Sequence, residues 1–397
     1  MAKSYILFDD SRRENLLPIT FTRPVAEIRI GILTITEKWR YYLGDSYSFL
    51  TKDYLKEKYP AVNTAGELCL INGGICPDDK LVEAIKNLKA GEALVSDDSV
   101  IAGVLRVLPK QAPCIADFYS TTIYNQGILQ VTNLWDIFRY NGEAITRDFE
   151  MLTKNRKSEE ISLTNRALNP SKIFIEKGAK VECSILNAET GPIYIAKEAE
   201  VMEGSIIRGP FALCEHSTVK MGAKIYGPTT VGPHSKIGGE VNNSVIFGHS
   251  NKAHDGFLGN SVIGEWCNLG ADTNNSNLKN NYAEVKLWSY TRKNFTKTGL
   301  QFCGLIMADH SKCGINTMFN TGTVVGVCTN IYGSGFPRNF VPCFSWGGAA
   351  GFTVHQPEKA IETAKIVLSR RNIELTGVDE KILLHVFEQT KEFRNFS

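Results

Sequence analysis

The chain has 397 residues, more than one ordinary hydrophobic core accommodates, so its length predicts two or three domains. Lys and Arg number 44 against 42 Asp and Glu, a formal charge of +2 that argues against an electrostatic nucleic-acid binder. Its 10 cysteines include no Cys-x-x-Cys pair, so neither a zinc site nor a disulfide framework is indicated. No signal-peptide pattern follows the first residues and no apolar stretch is long enough to span a bilayer, so we expect a cytoplasmic protein without a membrane partner.

Short apolar runs alternate with helical spacing in the first part of the chain, residues 1–152. The strand-like and helix-like segments are residues 5–8, 68–72, 81–88, 93–96 and 134–138. Strands that alternate with helices predict an α/β domain with a parallel sheet. The polar residues 153–170 that follow predict a linker.

A polar loop with two arginines follows the first apolar run. Residues 7–24 read LFDDSRRENLLPITFTRP, and guanidinium and backbone N–H groups suit phosphate oxygens. This segment resembles the signature loop of the sugar-1-phosphate nucleotidyltransferases. The resemblance implies an NTP-binding domain that uses Mg²⁺ when active, with Arg12, Arg13 and Arg23 as nucleotide-binding residues.

The loop departs from that family at two places. Asp9 and Asp10 lie where the family has paired glycines, and carboxylates there would repel a triphosphate. Val25 lies where the family has a lysine. An ordinary loop with solvated charges is therefore the alternative, and no aspartate is indicated as a Mg²⁺ ligand.

Eight aliphatic residues recur at intervals of six between Ile195 and Ile237. They are Ile195, Val201, Ile207, Leu213, Val219, Ile225, Val231 and Ile237. Neither an amphipathic helix nor an alternating strand has this period, whereas a hexapeptide β-helix does. The same phase returns at Ile175, Val181, Phe257, Ile263, Leu269, Met307, Cys313, Phe319, Val325 and Ile331. The repeat predicts a solenoid over residues 171–347 with three hexapeptides in each coil.

Each coil of a solenoid buries its apolar surface only against neighbouring coils, so the last coil needs a cover. Residues 348–397 are predicted to provide it. Pro357 suits a first helical turn, and one apolar helical face follows it. That face consists of Ala360, Ile361, Ala364, Val367 and Leu368. A second helix is predicted over residues 379–393.

The six-residue count fails after Ile237 and recovers at Phe257. Residues 252–271 read KAHDGFLGNSVIGEWCNLGA, with a His, an aromatic residue, Leu-Gly, Ile-Gly and Asn-x-Gly-Ala in that order. This segment resembles the acetyltransferase half of the GlmU-like bifunctional N-acetylglucosamine-1-phosphate uridyltransferases. The resemblance implies a left-handed parallel β-helix, a homotrimer, and acetyl-CoA as co-substrate in the groove between coils.

The resemblance also implies roles for single residues. His254 would be the general base that takes a proton from a sugar amine, since imidazole titrates near the working pH. The other catalytic residues would be Asn268 and Asn277. Acceptor binding would involve Lys224, Tyr226, Asn242 and Phe257, and acetyl-CoA binding Ala271, Gly304 and Thr321.

Two of these positions differ from the family, and His254 has an alternative interpretation. Asn242 replaces a lysine and Phe257 a tyrosine, changes that affect acceptor binding more readily than the class of chemistry. The alternative for His254 is a surface histidine in a loop.

An Asn-rich interruption covers residues 272–299. It is either a solvated loop or a lobe over the active site of a neighbouring protomer. In the second case its side chains could touch a nucleotide or a CoA phosphate. Those side chains are Trp288, Tyr290, Arg292 and Lys293.

The resulting prediction is a transferase of sugar nucleotide biosynthesis. The solenoid would N-acetylate an amino-sugar 1-phosphate from acetyl-CoA, and the amino-terminal domain would join the product to an NTP, giving a UDP-N-acetylglucosamine-type compound. Two alternatives remain: a chain that keeps one of these activities, or a non-catalytic regulatory or scaffold subunit.

Overall fold

The computed structural model describes residues 3–44, 47–61, 66–96 and 98–396. The chain forms two compact units. The first comprises Met1–Ile28 and Leu33–Asn133, and the second Arg29–Ile32 and Leu134–Ser397. The predicted functional boundaries at residues 152, 170 and 347 remain predictions.

The first unit is an α/β fold around one six-stranded sheet. Its strands are β1 Lys3–Phe8, β2 Tyr47–Leu50, β3 Glu67–Asn72, β4 Glu92–Ser96, β5 Ser99–Leu105 and β6 Ser120–Ile123. Its α-helices are α1 Ile35–Leu43 and α2 Asp79–Asn87. The order across the sheet is β2-β1-β3-β5-β4-β6, and β1 pairs in parallel with both neighbours.

The α/β prediction is confirmed, but this sheet is mixed and not purely parallel as expected. Strand β5 runs antiparallel to both β3 and β4. Strand β4 ends at Ser96 and β5 begins at Ser99, so the connection is too short for a parallel crossover. Helix α1 begins with a capping box in which the Glu37 N–H donates to Thr34 Oγ1 at 3.1 Å.

The second unit begins with helices α3 Asp136–Arg139 and α4 Asn141–Thr153 and continues as a three-sided parallel β-helix. Its first sheet contains Arg166–Leu168, Ile185–Asn187, Ile206–Arg208, Lys224–Tyr226, Glu240–Asn242 and Phe257–Gly259. Its second sheet contains Ile173–Ile175, Ile193–Ile195, Phe211–Leu213, Thr229–Val231, Val245–Ile246, Val262–Ile263, Ile306–Met307, Val324–Val325 and Phe340–Val341. Its third sheet contains Lys180–Val181, Glu200–Val201, Thr218–Val219, Lys236–Ile237, Asn251–Lys252, Asn268–Leu269, Lys312–Cys313, Asn330–Ile331, Ser345–Gly348 and Gly351–Val354. A separate parallel pair consists of Asn274–Asn275 and Met318–Phe319.

The predicted six-residue register is confirmed. Ile195 pairs with Leu213 and Leu213 with Val231, so one coil takes three hexapeptides. All eight aliphatic residues between Ile195 and Ile237 are at most 2% exposed. The β-helix therefore rests on a dry aliphatic column, as its sequence predicted. The first strand, Arg166–Leu168, already belongs to this fold although it falls inside the segment predicted as a linker.

The coils differ in length, and the shortest spacing changes the register after Ile237. Val231 pairs with Ile246, fifteen positions further along the chain instead of eighteen. The inward side chain of the next first-sheet strand is Leu258, which is 1% exposed, and not Phe257 as the sequence phase suggested. The corner closes tightly at Gly238, where a Cβ would lie 2.4 Å from the Ala253 carbonyl oxygen.

Two helices follow the last coils: α5 Pro357–Ser369 and α6 Gly377–Gln389. Four of the five predicted face residues of α5 are buried, and Val367 is partly exposed. Helix α6 begins earlier than predicted, because Thr376 forms a capping box with Asp379. No helix in the described part of the chain is both long and apolar enough to cross a membrane.

Candidate functional site

His254 lies on an exposed turn between two sheets of the solenoid. The turn joins the third-sheet strand Asn251–Lys252 to the first-sheet strand Phe257–Gly259. Gly256 in this turn has φ +110°, and a Cβ there would lie 2.2 Å from the Thr273 carbonyl oxygen. The backbone therefore packs closely against the next coil and presents the imidazole to solvent.

The turn is held from below by a lysine that sequence analysis missed. Lys252 pairs with Ile237 in the inward column of the third sheet and is only 2% exposed. Its Nζ donates to the carbonyl oxygens of His254 and, at 3.0 Å, of Asp255. Burial lowers the pKa of Lys252 to about 8, against the opposing effect of Asp255 and Asp272. The sequence could have indicated this lysine only if the shortened coil had been recognised, because Lys252 then takes a position that aliphatic residues occupy in the preceding coils.

A cavity of about 860 Å³ lies on the outer face of the third sheet, and we call it the third-sheet cavity. Three of the predicted site residues line it: His254, Asn268 and Ala271. The carboxyl-terminal end of α5 forms part of its wall through Val367, Arg370 and Arg371. The remaining lining residues are Lys236, His249, Asn251, Ala253, Trp266, Cys267, Leu269, Gly270, Lys312 and Ile315.

The four predicted acceptor residues lie together on the first sheet. Glu240 pairs with Lys224 on one side and Phe257 on the other, and Asn242 pairs with Tyr226. The Tyr226 hydroxyl donates to Glu240 Oε1 at 2.6 Å, and Lys224 Nζ lies 3.8 Å from Glu240 Oε2. This hydrogen bond to a carboxylate raises the pKa of Tyr226 to about 12. Adjacent strands thus present two hydrogen-bonding side chains and an ammonium group beside the His254 turn.

Asn277 joins this first-sheet group from the next coil. Its Nδ2 donates to Asn260 Oδ1 at 2.7 Å. A Cβ on Gly259 would lie 2.7 Å from that same Nδ2 and 2.5 Å from Phe257 Cζ, so both side chains cover this glycine. Gly304 also packs here, since its N–H donates to the Asn260 carbonyl at 2.8 Å.

Thr321 lies in a different cavity, of about 550 Å³, which we call the aromatic cavity. Its lining includes Trp288, Phe295, Phe340, Phe352, Phe393 and Phe396. Thr321 Oγ1 is 2.7 Å from Ser276 Oγ. Of the predicted acetyl-CoA residues, Ala271 therefore lines the third-sheet cavity and Thr321 the aromatic cavity, so one protomer does not bring all three into one cavity.

The interruption forms a β-hairpin, Lys286–Ser289 and Asn294–Lys297, that packs on its own chain. Trp288 stacks on Phe340 with ring centroids 4.2 Å apart, and Lys293 pairs with Glu392 at 2.6 Å. Tyr290 is buried, and burial raises its pKa well above the usual value. In this chain the hairpin contacts the carboxyl-terminal segment, whereas a contribution to a neighbouring protomer remains untested.

In the first unit, Arg13 is part of a buried ion pair. It is 2% exposed, its Nε lies 3.2 Å from Asp9 Oδ2, and it also donates to the Tyr54 hydroxyl at 2.9 Å. Asp9 accepts from the Val25 N–H at 2.8 Å. Burial raises the pKa of the Asp9 carboxyl, and Arg13 opposes that rise. Through these contacts Asp9, at the start of the arginine-containing loop, is joined to Val25 at its end.

Arg12 is the most accessible of the three predicted nucleotide-binding arginines, because Arg13 and Arg23 are both buried. Its guanidinium reaches Asp10 Oδ2 at 3.2 Å and Gln130 Oε1 at 2.9 Å. Their roles toward a nucleotide remain predictions. Within the described ranges, no group of three or more His, Cys, Asp or Glu side chains is arranged to hold a metal ion, so no residue is assigned to Mg²⁺.

Comparison with known proteins finds a family match in the first part of the chain. The sugar nucleotidyl transferase family matches residues 5–157. The chain is 31% identical over 144 residues to a bifunctional sugar-1-phosphate nucleotidylyltransferase/acetyltransferase of Sulfurisphaera tokodaii, a match covering 36% of this chain and 35% of that protein. It is 34% identical over 87 residues to the bifunctional protein GlmU of Methanocaldococcus jannaschii, covering 22% and 21% of the two chains. The chain thus spans about a third or less of the length of these relatives.

Among solved structures, the chain is similar to a UDP-N-acetylglucosamine acyltransferase, LpxA, of Bacteroides fragilis. That match has a TM-score of 0.26 and 14% identity, and covers 60% of this chain and 98% of the other. A UDP-N-acetylglucosamine acyltransferase of Campylobacter jejuni gives a TM-score of 0.22 at 14% identity, with 58% and 96% covered. The family match over residues 5–157 and the two curated relatives thus make this chain similar to sugar nucleotidyl transferases and to bifunctional GlmU-type proteins.

Proposed function

We propose that the solenoid transfers an acetyl group from acetyl-CoA to the amine of an amino-sugar phosphate, with His254 as general base. The observation that carries this proposal is the position of the His254 turn. It lies between the third-sheet cavity and the first-sheet group of Lys224, Tyr226 and Asn242. A substrate amine at this turn would have hydrogen-bonding groups for its sugar on one side and space for a second substrate on the other.

The reaction needs one proton acceptor. The imidazole of His254 takes a proton from the attacking amine, and the nitrogen forms a bond to the thioester carbonyl carbon. The carbon–sulfur bond then breaks, and the thiolate leaves with the electron pair and is protonated. Asn268 on the cavity side and Asn277 on the first-sheet side would supply amide donors and acceptors that orient the two substrates.

The amino-terminal unit is proposed to carry out nucleotidyl transfer from an NTP to the sugar 1-phosphate, with release of pyrophosphate. The support is the family match over residues 5–157 and the accessible guanidinium of Arg12. In this role Arg13 would hold the loop instead of contacting phosphate. A chain that keeps only acetyl transfer is the second candidate, because the buried Asp9–Arg13 pair occupies the loop that would hold a triphosphate.

The proposal also includes assembly of the protein as a homotrimer in the cytoplasm. The outer face of the first sheet presents apolar side chains to solvent: Leu168, Ile185 and Ile206 are between 39% and 48% exposed. Exposed apolar side chains on one face suit contact with a second copy of the chain. Sedimentation of the purified protein should therefore give three times the monomer mass of 44.0 kDa.

The acyl-transfer proposal is tested with His254→Ala. Release of free thiol from acetyl-CoA in the presence of glucosamine 1-phosphate should fall by about 100-fold or more, the size of a general-base contribution. His385→Ala, an exposed histidine on α6, is the matched control and should keep the wild-type rate. An undiminished rate for His254→Ala would remove this residue from the mechanism.

If neither glucosamine 1-phosphate nor related amino-sugar phosphates release thiol, the scaffold alternative gains support. Sedimentation and melting curves of His254→Ala are measured in parallel, so that a loss of rate is not confused with a loss of assembly.

A further inference from the structure

The walls of the third-sheet cavity carry an unbalanced positive charge. Lys236 and Lys312 project from the outer face of the third sheet, and Arg370 and Arg371 enter from the end of α5. Lys236, Asn251, Asn268 and Lys312 follow one another as partners in the strand ladder. The two lysines are thus fixed on one rigid sheet, while the arginines approach from a different element.

The cavity contains no carboxylate to balance these groups. No Asp or Glu is among its lining residues in the described part of the chain. The Lys312 ammonium donates to the His310 carbonyl at 2.9 Å, and its partial burial lowers its pKa. A bound anion would offset the positive charge of these four side chains.

Aromatic rings form the adjacent wall. His216, His234, His249, Trp266 and His310 stack at one corner on successive coils, and we call this set the ring column. His249 and Trp266 lie 4.1 Å apart at 6° and line the cavity. These two stacked rings form a mostly apolar part of the wall beside the cations.

We propose that the third-sheet cavity binds the phosphate-bearing part of a substrate whose other end reaches His254. This inference rests on the proposed acyl transfer, since His254 lines the same cavity. Guanidinium forks and ammonium groups are the protein groups that bind phosphate best, and the volume of about 860 Å³ suits a small ligand.

Arginines at the end of a helix also interact favourably with its last carbonyl groups, which is a structural reason for their position. That interaction does not require them to line a cavity, nor does it require Lys236 and Lys312 to face them. Phosphate binding accounts for all four cations together.

The phosphate could belong to the acyl donor or to the sugar acceptor, and the experiment separates the two. Calorimetric titration of the full-length protein uses three probes: inorganic pyrophosphate, 3′,5′-ADP and glucosamine 1-phosphate. Tighter binding of 3′,5′-ADP assigns the cavity to the donor, and tighter binding of the sugar phosphate assigns it to the acceptor. No detectable binding of any of the three probes overturns the proposal.

The cavity is tested by the double variant Arg370→Ala/Arg371→Ala. Loss of two charge-assisted contacts should weaken binding of the preferred probe by about 100-fold, roughly tenfold for each arginine. Lys236→Ala, in which an exposed side chain is truncated, is a second variant for the case that the double variant does not fold, and should weaken binding about tenfold. Lys359→Ala on the same helix is the control and should bind as the wild type does.

Wild-type affinity in a folded double variant, or in Lys236→Ala, refutes the phosphate site. Binding is measured without turnover, so it does not depend on the chemistry at His254. If His254→Ala retains full acetyl transfer while the double variant loses binding, the acyl-transfer mechanism fails and the phosphate site stands.

Discussion

At the residue scale, the least expected group is Lys252, an ammonium inside an otherwise aliphatic column. A buried ammonium is unfavourable unless its donors are satisfied, and here two turn carbonyls accept from Nζ. The turn that carries His254 has one exposed face and one face held by this side chain. We therefore expect Lys252 to act as a positioning residue, because its ammonium group donates to the backbone carbonyl of His254.

Lys252→Met should lower kcat for acetyl transfer by about tenfold to 100-fold while KM changes little, since small misplacement of a catalytic group has effects of this size. Melting of the solenoid should be unchanged or slightly raised, because a buried charge is replaced by an apolar side chain of similar volume. Steady-state kinetics and melting curves are the measurements. Lys197→Met, at an exposed turn of the same solenoid, is the control.

A merely structural role predicts the opposite pattern for Lys252→Met, a lower melting temperature with kcat preserved. That result would show that the amine supports the coil and does not position His254.

At the scale of elements, the ring column gives the solenoid a sensitivity to acid. Burial, with smaller contributions from His234 and Arg371, lowers the pKa of His249 to about 4. The unfolded chain takes up a proton near the ordinary histidine pKa of about 6.5, whereas the folded column resists it. Stability from this group is therefore present above about pH 6.5 and is lost as the pH falls toward 4.

His249→Gln should reduce this dependence. Between pH 7 and pH 4.5 its melting temperature should fall less than that of the wild type, because glutamine takes up no proton in this range. Calorimetric melting at several pH values in one ionic strength is the measurement. Parallel curves for the two proteins would show that His249 does not contribute to acid sensitivity.

At the scale of the whole molecule, the two proposed activities belong to different units and can be tested separately. Arg12→Ala should lower pyrophosphate release from an NTP and a sugar 1-phosphate by about tenfold or more, as expected for loss of a charge-assisted phosphate contact. Acetyl transfer by the same variant should stay at the wild-type rate, because His254 belongs to the other unit. Arg106→Ala, an exposed arginine of the first unit, serves as the control.

Absence of pyrophosphate release from the wild-type protein with all four NTPs would favour the chain with acetyl transfer alone. Normal release by Arg12→Ala would instead remove this arginine from the nucleotide site.

Local regularity explains what could be predicted. The six-residue repeat was enough to predict the β-helix, because the spacing of its inward side chains can be read directly from nearby positions in the sequence. The apolar face of α5 followed from its helical spacing for the same reason. The ordered match through residues 252–271 was sufficient to indicate a resemblance to GlmU-like proteins, and a bifunctional GlmU protein is among the curated relatives.

Tertiary structure decided the features that join residues far apart in the chain. Residues near 236 and 371 line one cavity, yet no local pattern connects a solenoid strand with the end of a terminal helix. The burial of Arg13 with Asp9 depends on Tyr54 and Val25, which the fold brings to the loop. The shortened coil placed Lys252 in the column, because the number of residues in a corner is determined by packing against the next coil and not by the repeat itself.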